Sequence, residues 1–154
     1  RIVGEGSLRR ELEGLARQLG VEERVHFDGG LDDLQLAERL ERCHCVCLPS
    51  TERTEAFGLV LLEAMAFGKP TISSRVEGSG MTWVVEENVT DLKVPPRNSG
   101  ALAEAIDRLR NDPDFAGRLG EAGRRRFRKH FDIGPSVAAL QRVYEAVIPG
   151  RAAP

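Results

Sequence analysis

From Gly58 to Phe67 almost every side chain is apolar: Leu59, Val60, Leu61, Leu62, Ala64, Met65, Ala66 and Phe67, interrupted by Glu63 alone. An unalternating apolar run of this length reads as a buried helix. Pro49 to Thr54 lead into it as turn and cap residues, Gly68 follows it as a C′ glycine, and Pro70 stops it. Upstream, Ile2-Val3 predicts a short strand running into the turn Gly4-Glu5-Gly6-Ser7. Ser7 is the expected cap of a helix to about Leu19, with Leu8, Leu12, Leu15, Ala16 and Leu19 at helical spacing and Gly20 as its stop. Val25-His26-Phe27 predicts the next strand, turned by Asp28-Gly29-Gly30, and Asp32 or Asp33 caps a helix ending near Arg42. Cys45 to Leu48 is apolar throughout, as in a strand covered on both faces.

Beyond the apolar helix, Thr71 to Ser74 predicts a strand, Arg75 to Met81 a glycine-rich loop, and Trp83-Val84-Val85 and Leu92-Lys93-Val94 short apolar pieces. Asn98 or Ser99 caps a helix through Leu109 whose apolar face is Leu102, Ala105, Ile106 and Leu109. Pro113 opens another helix to about His130. Residues 135–148 form the last one, with Val137, Leu140, Tyr144 and Val147 expected inward. Strands alternating with helices predict an α/β fold, a Rossmann-like doubly wound parallel sheet with helices on both faces, binding ligands at the carboxyl edge of its strands. Residues 1–148 are expected to form one domain and residues 149–154 a disordered tail.

A length of 154 residues suffices for one domain with a core, and a net charge of −2 exerts no general pull toward nucleic acid. No apolar stretch approaches the roughly 20 residues of a membrane span. Cys43, Cys45 and Cys47 alternate along one strand, a poor geometry for bridging; they read as small apolar fillers, and reduced thiols fit the cytoplasm. The basic run at residues 124–129 has two readings, contact with acidic phospholipid at a membrane surface or a solvated helix end favoured by the dipole.

The central helix carries the candidate chemistry. Glu63 is its one charge, and a lone buried carboxylate is costly unless it faces a polar space. Glu55 stands eight residues earlier, just before the helix. Between them the amides near Phe57, Gly58, Leu59 and Val60 lack intrahelical partners and form the positive end of the dipole, which suits a phosphate. Two hydroxyl-accepting carboxylates around an anion-binding helix end fit a sugar nucleotide.

The string Glu55-Ala-Phe-Gly, four residues, Glu63-Ala-Met-Ala-x-Gly68-x-Pro70, preceded by Leu48-Pro49-Ser50, resembles the EX7E signature of family 4 (group 1) retaining glycosyltransferases of GT-B architecture. The segments IVGEGSLRREL, VHFDGGLDD and TDLKVPP agree with it in order. The resemblance implies the C-terminal, donor-binding domain, truncated at its N-terminus. It implies that Glu63 holds the ribose and that Glu55 acts on the transferred sugar. The amides of Phe57, Gly58, Leu59 and Val60 would bind the diphosphate, Ala56 would belong to the donor site beside them, Gly4, Glu5 and Gly6 would line its rim, and Leu31 and Asp33 would contact the base. The glycine loop would lie near the donor sugar.

The expected donor is UDP- or GDP-linked. No metal and no cofactor are expected, and the acceptor, a glycan or lipid, would meet an N-terminal domain. The resemblance also places a central strand and two diphosphate-neutralising cations ahead of Ile2, so the 154-residue piece alone is expected to be inactive and marginally stable. Asp91 stands where the family usually has glycine. Two other readings are a sugar-nucleotide epimerase and a non-catalytic nucleotide-sugar-binding module.

Overall fold

The computed structural model describes residues 1–148, so the expected tail lies outside the described residues. The chain divides into two units, Arg1–Arg42 and the remainder from Cys43. Every strand pairing within them is parallel, as expected, but the ladders form two separate sheets, one in each unit.

In the first unit β1 (Ile2–Val3) pairs with β2 (Phe27–Gly29). The second strand sits later than expected because Val25 is held in a turn, its amide donating to the Val21 carbonyl. Between the strands runs α1 (Arg9–Gln18), closed by Gly20 in the left-handed region. The Gly20 and Val21 amides donate to the Arg17 and Ala16 carbonyls, the expected C-terminal motif. Ser7 is not its cap: Leu8 occupies that position in helical conformation, and the Arg9 amide bonds the Gly6 carbonyl instead. Of the apolar stripe only Ala16 is buried, while Leu8, Leu12, Leu15 and Leu19 are exposed. Asp32 opens α2 (Asp33–Arg42) with a capping box: its carboxylate accepts from the Gln35 amide at 2.8 Å, and Gln35 accepts from the Asp32 amide at 3.1 Å.

In the second unit β3 (Val46–Leu48), β4 (Thr71–Ser74) and β5 (Asp91–Val94) lie in sequence order. One face of this sheet packs Cys45, Cys47, Ile72, Leu92 and Val94 against Leu109 of α5 (Ser99–Asn111) and Leu119 of α6 (Pro113–His130). On the other, Leu48 joins Leu61 and Met65 of α3 (Leu59–Ala66), Met81 and Val84 of the one-turn α4 (Met81–Val84), and Phe127 of α6. Helices thus cover both faces. Among the described residues the cysteines form no disulfide, and the hydrogen bond between the two thiols that pack in the core draws Cys45 down to about 7 and pushes Cys47 up.

The first of two caps here falls on an expected residue, Asn98. Asn98 accepts from the Ala101 amide and Asp112 from the Phe115 amide, each at 2.9 Å. Two cations of the basic run turn inward. Arg124 turns back to the Phe67 carbonyl at the end of α3, and Arg126 grips the Trp83 and Val84 carbonyls at the end of α4. Both put positive charge where helix dipoles end negatively. The last helix, α7 (Ile133–Val147), departs from expectation: it buries nothing, and Val137, Leu140, Tyr144 and Val147 are exposed.

Candidate functional site

Parallel pairing brings the C-terminal ends of neighbouring strands to one edge, so each unit gathers its loops there. In the first unit the turn after β1 meets the turn after β2. The Gly4 amide donates to the Gly29 carbonyl at 2.8 Å, and Gly4 holds a φ of +115° that other residues rarely adopt. Glu5 lays its carboxylate against Gly29 and Gly30: a methyl group on Gly30 would stand 3.7 Å from Glu5 Oε1. The Gly6 carbonyl starts the turn into α1. Leu31 is half-buried and Asp33 exposed at the first position of α2. Because Asp32 does the capping, Asp33 is spared that task. At the same turn Asp28 is forked by Arg1 at 2.6 and 2.7 Å and bonded by Arg39, and the Arg1 hydrogen bond leads in holding its carboxyl down at about 2.

In the second unit the loop between β3 and α3 is bound to the glycine loop after β4. Ser79 donates its hydroxyl to the Glu55 carbonyl at 2.6 Å, and the Gly80 amide donates to the Ala56 carbonyl at 2.8 Å. A methyl group on Gly80 would stand 2.5 Å from that Ala56 oxygen, so only glycine permits the approach. Phe57 is half-buried, its ring 5.9 Å from that of Trp83.

Glu55 does more than the resemblance implies. Its Oε1 accepts from the Gly58 amide at 2.9 Å and so closes the entry to α3. Oε2 has no hydrogen-bond partner among the described residues, which leaves one oxygen for a ligand. The expected anion site is correspondingly narrower, since the Gly58 amide is taken. The Leu59 and Val60 amides, the first two of the helix, remain.

Gly58 is held to glycine by its backbone and its neighbours. It is buried at a φ of +77°, and a methyl group there would meet Leu61, Met81 and Leu48 side chains at 3.0 to 3.2 Å. Packing and a left-handed backbone both require it.

The helix itself is not buried all round. Leu61, Ala64 and Met65 are buried, while Leu59 is 65% exposed and Glu63 is exposed. Leu59 and Glu63 are four residues apart and share one face. Glu63 has no hydrogen bond or ion pair through its side chain among the described residues. By contrast Glu52, Glu86 and Glu87 pair with Arg97, Arg126 and Arg75. Arg53 and Arg97 of these loops were not among the expected site residues; the signal available was a basic residue standing between Glu52 and Glu55 and another directly after Pro95-Pro96. Leu31, Asp33 and the Gly4 turn belong to the first unit, and Glu55 through Glu63 to the second.

Comparison with known proteins gives this arrangement a family. The family described as glycosyl transferases group 1 matches residues 1–126. The O-antigen chain mannosyltransferase C of Escherichia coli is 35% identical over 150 residues, 97% of this chain and 40% of that protein. Among solved structures, the sucrose-phosphate synthase of Thermosynechococcus elongatus is 37% identical with a TM-score of 0.81, covering 92% of this chain and 35% of that one. Anabaena HepE in complex with UDP is 28% identical with a TM-score of 0.80, covering 94% and 39%. The chain therefore spans about two fifths of the length of the relatives it matches. With its parallel α/β fold, it is a C-terminal GT-B domain and belongs to the group 1 glycosyltransferases.

Proposed function

We propose that this chain is the donor-binding part of a retaining glycosyltransferase that moves a hexose from a UDP- or GDP-sugar to a glycan or lipid-linked acceptor in cell-envelope polysaccharide synthesis. The observation that carries the reading is the pair of available carboxylate oxygens around the start of α3, Glu55 Oε2 and the exposed Glu63. The Anabaena neighbour in complex with UDP supports the nucleotide, and the mannosyltransferase relative supports sugar transfer. Glu63 accepts from the ribose hydroxyls, and Glu55 takes a hydroxyl of the transferred sugar. The Leu59 and Val60 amides meet the diphosphate as negative charge grows on the leaving group. In the first unit, by the same resemblance, Gly4, Glu5 and Gly6 are rim residues and Leu31 and Asp33 contact the base. Protein groups carry the charge neutralisation, with no metal assigned. No helix among the described residues is long and apolar enough to cross a membrane. We place the enzyme in the cytoplasm, with its acceptor bound by the rest of the protein.

A panel of UDP, GDP and ADP titrated into the full-length enzyme tests the reading. One of the first two should bind, and Glu63→Gln should weaken it about tenfold, because an amide pairs less well than a carboxylate with two hydroxyls. Unchanged affinity would remove Glu63 from the site. Formation of an epimer, or binding without turnover, would replace transfer by one of the other two activities.

A further inference from the structure

The loop between β3 and α3 carries a cation for which the preceding reading has no use. Arg53 is exposed, yet its guanidinium lies flat over Gly78 of the glycine loop. A methyl group on Gly78 would stand 2.9 Å from Arg53 Nε, 3.0 Å from Cζ and 3.2 Å from one terminal nitrogen. Gly78 also holds a φ of +72°. The surface under the guanidinium is therefore bare backbone, and two bonds immediately downstream fix it against the same loop: Ser79 hydroxyl to Glu55 carbonyl, and Gly80 amide to Ala56 carbonyl. Several other charges here have partners. Glu52 faces Arg97 at 3.7 Å, Glu55 accepts from Gly58, and Arg75 bonds Glu87 at 2.6 Å. Arg53 and the exposed Glu77 have no hydrogen bond or ion pair among the described residues.

A guanidinium offers five donors in a planar fork suited to a phosphate, and one already laid down on backbone loses less side-chain freedom on binding than a free one. It sits in the loop that also holds Glu55 and leads to the free amides of α3. We infer that Arg53 is a phosphate-binding residue of this site, prearranged by Gly78. It takes an oxyanion either of the donor diphosphate or of a phosphate carried by the acceptor. The inference rests on the donor-site reading above and adds a residue that the EX7E signature does not contain.

The test uses the full-length enzyme with Arg53→Gln and Arg53→Lys. On the donor side, titration with UDP and GDP is compared with uridine and guanosine. If the oxyanion is the donor's, Arg53→Gln weakens diphosphate binding about tenfold or more and leaves nucleoside binding unchanged, with lysine only partly restoring it. If it is the acceptor's, nucleotide affinity holds and KM for a phosphorylated acceptor rises by a similar factor. Gly78→Ala, which leaves Arg53 in the sequence but pushes its guanidinium away, should reproduce whichever loss is seen. Wild-type values within twofold on both sides for Arg53→Gln overturn the inference while leaving the donor reading intact. A wild-type enzyme that binds neither UDP nor GDP overturns both.

Discussion

Asp91 and Lys93 make a buried charge pair on the α3 side of the sheet. Asp91 is fully buried and Lys93 is 4% exposed at its side chain; Ser73 Oγ stands 2.7 Å from each, donating to Asp91 Oδ2 and accepting from Lys93 Nζ. Asp91 Oδ1 is buried without a partner, and burial pushes the Asp91 carboxyl up against the opposing pull of Thr71, Lys93 and Ser73. A raised folded-state value means that the folded protein holds the proton more tightly than the unfolded chain. Asp91 therefore favours folding most below its ordinary 3.8, and this is lost as pH rises through the folded value. Removing Lys93 leaves the carboxylate alone. Lys93→Met should cost roughly 3–5 kcal/mol near neutral pH, with the deficit shrinking as the solution is acidified and Asp91 neutralises. Urea unfolding of wild type and variant between pH 4 and pH 8 measures this, and a deficit that ignores pH would show that the charge is not its origin. Glu55 belongs to the same scale. Glu55→Ala should remove the charge-assisted hydrogen bond to the Gly58 amide, worth roughly 1.5–3 kcal/mol, and lower turnover more than affinity for bare nucleotide. Equal losses of turnover and nucleotide affinity would make it a shaper of the loop alone.

Elements differ in how plainly they are written in the chain. The central helix is legible because an apolar run, Gly68 and Pro70 specify its body and its end. The Gly68 and Lys69 amides do close it on the Met65 and Ala64 carbonyls. Asn98 and Asp32 are legible as caps because a short side-chain oxygen before a helix has few other uses. The EX7E carboxylates were legible as a pair, but the Glu55 bond to Gly58 was not, since nothing in spacing says which way a carboxylate folds. Arg124 and Arg126 were read as surface because their targets, the ends of α3 and α4, are 57 and 42 residues away. The stripes of α1 and α7 have helical spacing, but spacing names an apolar face without naming what covers it. The glycines of α6 went unread for a related reason. Gly120 and Gly123 let α6 close on α3: a methyl group on Gly120 would stand 2.1 Å from the Gly68 carbonyl oxygen, and one on Gly123 would stand 3.1 Å from Met65 Cγ. Gly117, one turn earlier, meets nothing within 4 Å. Alanine at these sites should thus act in opposite directions. Gly120→Ala should destabilise by about 1–3 kcal/mol or more, since backbone cannot yield. Gly117→Ala should stabilise by roughly 0.5–1 kcal/mol through helix propensity. Thermal unfolding of the two variants checks this, and a loss of similar size in both would refute the packing account.

Across the chain, two stripes of exposed apolar residues stand out among the described residues. Ile133, Val137, Leu140, Tyr144 and Val147 lie at helical spacing along α7 and are 43–75% exposed. Leu8, Leu12, Leu15 and Leu19 repeat the pattern on α1, at 38–66%. Contiguous apolar faces of this kind are rare on monomeric proteins and drive association when nothing covers them. The sheets add to this. Among the described residues β3 ends one ladder and β1 and β2 make another of only two strands, so unpaired backbone groups remain along their edges. Expressed by itself, the 154-residue chain should therefore self-associate and be inactive in sugar transfer. Sedimentation across a hundredfold concentration range should show mass rising with concentration. Paired changes Val137→Glu and Leu140→Glu, which put charge in the middle of the α7 stripe, should shift that rise to higher concentration, whereas Arg128→Glu on the neighbouring helix should not. A concentration-independent monomer would mean that these faces are tolerated by the isolated chain, and a monomer that also transfers sugar would contradict the assignment of the acceptor to another part of the enzyme.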